Sequence, residues 1–264
     1  MTNVLIFGAN GMLGSYAMKY LSSLPELKVT AITRNEFDVL TTSLSKLDFQ
    51  DVDVVINCVG TIKPLVTDVG VANTTVINGV FPHRLANYCA GYGVKMIHIT
   101  TDCVFSGAVG FYNEIAPHDP LDVYGKTKSL GEPLDAMIIR TSIIGEEVSN
   151  KRSLIEWVKS NDNKTVSGYT NHTWNGLTCL ELSKFIASRI INHDYWEGVR
   201  HVFSPTPVTK MQLITIIAKA FDINLNVIPT MTEVPVYRTL STVFTPLVTK
   251  EIEQQINELP GFFS

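Results

Sequence analysis

Three sets of residues in this 264-residue chain have types and spacings that could do chemistry. The first is Tyr124-Gly125-Lys126-Thr127-Lys128. On a helix, Tyr124 and Lys128 would share a face one turn apart. A cation beside a phenol favours phenolate and is expected to lower the tyrosine pKa from about 10. A tyrosine so tuned gives a proton to a carbonyl or takes one from an alcohol. The bland alternative is a surface tyrosine with a helical lysine neighbour. The second set is Thr101-Asp102, at the end of the apolar run Lys95 to Thr100. Thr101 could hold a carbonyl against Tyr124, or simply cap a turn.

The third set is Gly8-Ala9-Asn10-Gly11-Met12-Leu13-Gly14. It lies between the apolar run Val4 to Phe7 and a helical pattern from Met12 to Leu24. The first glycine permits a tight turn. The second lets backbone approach a pyrophosphate, and the third lets the helix pack closely. The helix start then offers free N–H groups to phosphate. A bare glycine triplet would be weak, but strand–turn–helix context makes this a dinucleotide cradle. Arg34 follows the second strand, where a carboxylate would repel a 2′-phosphate and an arginine attracts one. This favours NADP(H) and leaves NAD(H) open; a solvated surface arginine is the plain alternative.

The elements that must position these groups alternate. Strands are expected at Val4 to Phe7, Lys28 to Ile32, Asp53 to Ile56, Lys95 to Thr100 and Ala136 to Arg140. Helices are expected from Met12 to Leu24 and, despite Pro82, from Val76 to Tyr92. Such alternation predicts βαβ units and a parallel sheet, with ligands at the carboxyl ends of its strands. Beyond Gly145 the spacing predicts helices at 154–160, 178–192, 211–221 and 251–257. A short strand is expected at 164–167, and a strand at 199–203 would return to the main sheet. No repeat or linker interrupts the chain.

Composition narrows the class. Apolar residues make up 45 % and charged residues 17 %, a globular balance. A net charge of −4 disfavours nucleic acid as a partner. No signal sequence is expected at the start, and no apolar run approaches the roughly 20 residues that span a bilayer. The four cysteines form no CxxC pair. They read as reduced thiols of a cytoplasmic protein, and no metal site is expected.

Five segments carry a resemblance. They are Gly8 to Gly14, Asn57-Cys58-Val59-Gly60, Thr100 to Phe105, Tyr124 to Lys128 and Arg140-Thr141-Ser142. In this order they resemble the extended short-chain dehydrogenase/reductases, and within them the dTDP-4-dehydrorhamnose reductase (RmlD-like) branch. The resemblance is strong over residues 1–145 and thin beyond. It implies an α/β fold, a Rossmann-type doubly wound parallel sheet with a small interwoven C-terminal substrate-binding lobe. Residues 1–145 would form the NAD(P)-binding domain, with 170–204 returning to it. Residues 146–169 and 205–264 would form the lobe. Thr101, Tyr124 and Lys128 would be catalytic, and Tyr124 and Lys128 would also meet the cofactor, Lys128 at the nicotinamide ribose. Gly8, Asn10, Gly11, Met12, Leu13, Gly14 and Arg34 would hold the cofactor too, with Asp38 and Val39 by the adenine. Cys58, Val59 and Gly60 would line it after the fourth strand. Asp102, Cys103 and Ser142 would face a nucleotide-sugar substrate. Asn78 resembles a helical asparagine found near such sites, with a solvated polar residue as the equal alternative. The implied reaction is reduction of a keto group, at C4, of a nucleotide-linked 4-keto-6-deoxy sugar. A homodimer is left open.

Cys103 departs from the tyrosine of that branch. Related dehydratases carry glutamate there, and a thiol with pKa near 8.5 is a poor substitute. GDP-fucose synthase has a similar cysteine that acts as a base with a histidine partner, so a Cys103-dependent epimerase–reductase is the alternative. His172 is the candidate partner, with a loop histidine as its plainer reading. A non-catalytic NADP-binding sensor or subunit is the third reading, but such proteins often lack the tyrosine or the lysine, and both are present here. Trp174 could stack on a base, although a core role fits better.

Overall fold

The computed structural model describes residues 1–148 and 151–263. Its strands are β1 (Thr2–Phe7), β2 (Leu27–Ile32), β3 (Val54–Asn57), β4 (Lys95–Thr101), β5 (Met137–Thr141), β6 (Ile143–Ile144), β7 (Thr165–Tyr169), β8 (His172–Trp174), β9 (Leu177–Thr178), β10 (Gly198–His201), β11 (Val208–Thr209), β12 (Asn226–Thr230) and β13 (Val236–Arg238). Its α-helices are α1 (Met12–Ser22), α2 (Val66–Val69), α3 (Val71–Thr75), α4 (Phe81–Tyr92), α5 (Val123–Leu130), α6 (Leu154–Ser160), α7 (Cys179–Ile191), α8 (Lys210–Ala220) and α9 (Ile252–Asn257).

Six strands form one parallel sheet in the order β2-β1-β3-β4-β5-β10. Strands β3 and β5 are buried at every residue, as central parallel strands covered on both faces must be. One face packs Leu13, Tyr16, Ala17 and Leu21 of α1 against Leu182, Ile186 and Ile190 of α7. The other packs Phe81, Leu85 and Cys89 of α4 against Phe7, Phe37 and Phe49. The chain reverses direction across the sheet between β1 and β3, which opens a crevice at their carboxyl ends.

Two expectations change. No strand forms between β2 and β3. Phe37 and Phe49 there turn edge-on to Phe7, 5.5 and 6.4 Å away, and only a 3₁₀ turn appears at Leu44–Lys46. Cys58-Val59-Gly60 therefore follow the third strand, not the fourth. Nor is Val76 to Tyr92 one regular helix. Val76–Val80 is a π turn, and α4 starts at Phe81 with Pro82 in its first turn. Proline is harmless there because that N–H has no helical partner.

Strand β10 joins the edge of the main sheet as expected, but β8 pairs with β11 and β13 instead. Phe262 and Phe263 pack on helix α1. Phe262 stacks on Tyr16 at 5.0 Å, and Phe263 meets it edge-on at 4.5 Å.

Arg140 of β5 is fully buried. Its Nε and Nη2 donate to the Glu132 carboxylate at 3.1 and 2.6 Å. It also donates to His201 Nε2 at 2.9 Å and His118 Nε2 at 2.8 Å. Arginine only donates, so both Nε2 atoms must be unprotonated acceptors. His201 Nδ1–H then donates to the Ser241 carbonyl at 2.8 Å, and His118 Nδ1–H to Ser129 Oγ at 2.6 Å. Burial and then Arg140 lower both imidazoles, His201 to about 4. Unfolded histidine takes up a proton near pH 6.5, which the folded chain refuses. This contribution is therefore complete above pH 6.5 and is lost as pH falls toward 4. Thermal melts are expected to show a falling Tm from pH 7 to pH 5, with a shallower slope in His201→Gln. A flat Tm across that range in the parent chain would contradict the buried neutral pair.

Candidate active site

At the end of β1 the backbone turns at Gly8, whose φ is +76°. Gly8 N–H donates to Ile32 O, and Gly11 N–H to Gly8 O, both at 2.9 Å. A Cβ on Gly8 would lie 3.0 Å from the Cys58 carbonyl carbon and from Val59 N. The turn is thus pressed against the end of β3. A Cβ on Gly14 would fall 2.1 Å from Gly8 O, so only glycine lets α1 approach this closely. Gly11 caps α1 without any side-chain hydrogen bond, which leaves the first N–H groups open toward the crevice. Asn10 is exposed at the tip, while Met12 and Leu13 pack into the core behind it. This cradle fits a pyrophosphate. Farther along the crevice, Arg34 Nε donates to Asp38 Oδ2 at 2.9 Å. Val39 packs on the Phe7 cluster, together with Val59. Gly60 faces Asn78, whose Oδ1 would be 3.5 Å from an added Cβ.

Tyr124 stands in the first turn of α5, which Asp122 caps by accepting the Gly125 N–H at 2.8 Å. Lys63 pairs with the same carboxylate at 2.8 Å. The helix abuts the turn after β4. A Cβ on Gly125 would sit 2.2 Å from the Cys103 carbonyl oxygen. Thr101 ends β4, accepts the Cys103 N–H at 3.1 Å, donates to Asp102 Oδ1 at 3.2 Å and lies close enough to Tyr124 to influence its phenol. The structure thus brings Thr101 and Tyr124 together. It reverses the expected titration, however. Burial raises the Tyr124 phenol above its ordinary value, and Cys103, Asp102 and Asp122 add to that. Lys128 does not offset it, because its Nζ points back to donate to Ile99 O at 2.9 Å. Burial lowers Lys128 to about 8, against the opposing pull of Glu132 and Cys58. The Cys58 effect places the ammonium near the cradle. At neutral pH the pair is a neutral phenol and a charged amine.

Asn78 is fully buried. Its amide accepts from Thr61 N at 2.8 Å and donates to Thr61 O at 3.0 Å and Thr127 Oγ1 at 3.2 Å. It clasps the loop after β3 to α5, which excludes the solvated alternative.

Asp102 is buried and pushed upward by that burial, with Arg238, Cys103, Thr101 and Ser142 opposing. Arg238 of β13 donates to Cys103 Sγ at 3.0 Å. Burial and Asp102 nonetheless push the thiol up to about 12. His172 is engaged with Thr232 Oγ1 at 2.8 Å. Trp174 is 5 % exposed and lies under Lys210, 5.9 Å from its ring centre. Lys210 also interacts electrostatically with Asp102 and Cys103. Neither Lys210 nor Arg238 is tied to Thr101 by any local spacing in the sequence. Only the Asp122 cap before Tyr124 left a readable signal, an aspartate three residues ahead of a helical glycine.

The RmlD substrate binding domain family matches residues 1–236. The chain belongs to this family. A dTDP-4-keto-6-deoxy-D-glucose reductase of Streptomyces niveus is 33 % identical over 149 residues, covering 52 % of this chain and 51 % of that protein. A dTDP-4-dehydrorhamnose reductase of Mycobacterium tuberculosis is 30 % identical over 156 residues, covering 53 % and 49 %. The chain thus spans about half the length of the curated relatives it matches. The fold is similar to a dTDP-4-dehydrorhamnose reductase from Bacillus anthracis solved with NADP, at TM-score 0.82 and 20 % identity over 98 % of both chains. It is also similar to a UDP-glucuronic acid 4-epimerase from Bacillus cereus solved with NAD, at TM-score 0.75 and 18 % identity over 98 % and 95 %.

In this RmlD-family chain the contact of Gly125 with Cys103 O sets the distance from Tyr124 to Thr101. Gly125→Ala must push α5 off the turn, a forced overpacking that costs about 1–3 kcal/mol. The variant should melt lower and lose affinity for any carbonyl ligand. An unchanged melting temperature would show that the helix can yield without strain.

Proposed function

We propose that this protein reduces a keto group, at C4, of a nucleotide-linked 4-keto-6-deoxy sugar, using a nicotinamide dinucleotide in deoxysugar biosynthesis. The observation that carries this reading is the placement of Tyr124, in the first turn of α5, against the Thr101–Cys103 turn at the sheet end that also forms the glycine cradle. Family membership and the names of the relatives support the substrate class.

A bound NADPH or NADH would supply the hydride. Gly8, Gly11 and Gly14 make room for its pyrophosphate, and the open N–H groups at the start of α1 meet the charge. Thr101 and Tyr124 donate hydrogen bonds to the substrate oxygen. Negative charge grows on that oxygen during reduction, and donors already in place stabilise it without reorganisation. Tyr124 then gives its proton to the oxygen, leaving an alcohol and a phenolate. A raised phenol pKa suits this direction, since the donor is fully protonated at neutral pH. Solvent then returns the proton, while the charged Lys128 amine, turned away from the phenol toward Ile99 O, would hold the nicotinamide ribose. This Tyr-x-x-x-Lys assignment is part of the proposal, as is a substrate lobe of 146–169 and 205–264 carrying Arg238 and Lys210. The free thiols suit a reducing cytoplasm.

Cys103 as the base of an epimerase finds no support in its environment. Its thiol stays protonated near pH 7, and His172 is engaged elsewhere.

NADPH consumption with a panel of nucleotide-linked 4-keto-6-deoxy sugars tests the function. Tyr124→Phe should lower kcat by about 10²–10⁴. A variant that keeps the parent rate would rule Tyr124 out as donor. For pH, Lys128 carries its charge below about 8 and loses it above. The reduction rate should therefore decline as pH rises through about 8, and Lys128→Arg should shift that decline upward. A decline at the same pH in Lys128→Arg would assign it to another group.

A further inference from the structure

Helix α4 stops at Gly93, whose φ is +71°, and the chain turns there into β4. Gly93 N–H donates to Ala90 O at 3.1 Å and Val94 N–H to Cys89 O at 3.0 Å, the paired bonds of a left-handed helix stop. Beside this stop lies a cavity of about 490 Å³. That volume falls in the roughly 300–1,000 Å³ range of small-molecule sites. Strand β4 starts at the cavity with Lys95 and ends at Thr101. At a rise of about 3.3 Å per residue, its seven residues put roughly 20 Å between the cavity and Thr101. The cavity and the reacting groups therefore lie at opposite ends of the sheet.

Buried Ala86, Cys89, Met96 and Met137 give the cavity an apolar floor. Tyr195 and Trp196, just ahead of β10, add aromatic surface. The Trp196 Nε1 atom is buried and has no acceptor among the described residues. A buried indole N–H ordinarily finds one. The rim holds the exposed Lys95, Asp135 and Glu197. None of these three forms an ion pair among the described residues.

The charges are lopsided. Two carboxylates stand against one ammonium, and the C-terminal turn of α4 adds the negative end of its dipole. A phosphate is repelled here, whereas N–H donors are attracted. Trp196 asks for the opposite, a single acceptor. A flat ring that carries an amino group beside a ring nitrogen meets both demands.

We propose that this cavity is a second ligand site, one that takes an uncharged, amino-substituted heteroaromatic ring of the adenosine or cytidine type. The ring lies on the apolar floor, its ring nitrogen accepts the Trp196 Nε1–H, and its amino group donates to the rim carboxylates. The site is separate from the dinucleotide crevice and does not depend on the reaction proposed above.

The test is titration calorimetry on the full chain in excess NADPH, which carries its own adenosine into the crevice and so keeps the probe out of it. Adenosine and cytidine should bind with dissociation constants below about 1 mM. Thymidine lacks the amino group, and adenosine 5′-monophosphate brings a charge against the carboxylates. Each should bind about tenfold more weakly. Trp196→Phe keeps an aromatic ring and removes the N–H, and should weaken adenosine by about tenfold. Ala90→Phe, at an exposed position of α4 that lines the cavity, fills its mouth and should abolish adenosine binding. This second variant decides the matter if Trp196→Phe does not fold. Adenosine bound no more tightly than thymidine, an adenosine affinity in Ala90→Phe equal to the parent's, or no binding of either amino nucleoside at about 1 mM overturns the inference.

Discussion

The closeness of Gly125 to the Cys103 carbonyl oxygen is the constraint on which the site depends. No residue with a Cβ fits at 2.2 Å, so α5 rests directly on the turn after β4. Two other contacts repeat this device. Gly14 lies against Gly8 O, and Gly131 lies so close to Asn78 O that a Cβ would be 1.9 Å away. Together they bring the cradle, the π turn and α5 to the carboxyl ends of neighbouring strands. The positions of Thr101, Tyr124 and Lys128 follow from backbone contact, not from side-chain pairing. Asn78 adds the polar counterpart by clasping Thr61 and Thr127.

Such close contact buries the polar groups it assembles, and burial then governs their charge. It raises Tyr124, Asp102 and Cys103 and lowers Lys128. Each shift favours the neutral form, as expected when water is excluded. Arg238 is the counterweight, since it opposes the rise of both Asp102 and Cys103. The result is a pair of protonated groups, the Tyr124 phenol and the Cys103 thiol, held in fixed positions. That set suits giving a proton to a carbonyl oxygen better than removing one from carbon.

Local chemistry in the sequence revealed the main sheet, the cradle and the Thr101–Tyr124 encounter. Apolar runs such as Val4 to Phe7 are long enough to mark buried strands. Glycines at Gly8, Gly11 and Gly14, between a strand and a helix, mark close backbone approach by their spacing alone. Long-range effects stayed hidden. The sign of the Tyr124 shift depends on burial and on Cys103 and Asp102, none of which a four-residue spacing encodes. The absent strand before Asp53 depends on Phe37 and Phe49 choosing the sheet face over a sheet edge. Lys210 and Arg238 reach Asp102 and Cys103 from more than 100 residues away, and single charged residues at the ends of α8 and β13 have no period to betray them.

The same distance explains why fold and site are coupled. Segment 236–243 contains Arg238, which meets Cys103, and Ser241, whose carbonyl accepts His201 Nδ1–H. His201 in turn accepts from the buried Arg140, which Glu132 holds just beyond α5. The Phe111 and Tyr112 backbones donate to Thr239, and Ser241 returns two bonds to the same pair. One strap thus joins the turn after Thr101 to the interior of the main sheet. A charge gained on His201 would strain the Arg140 contact and loosen the strap at Ser241, three residues from the arginine that faces Cys103. The neutrality of a histidine remote from the reacting groups is therefore a condition for keeping Arg238 in place.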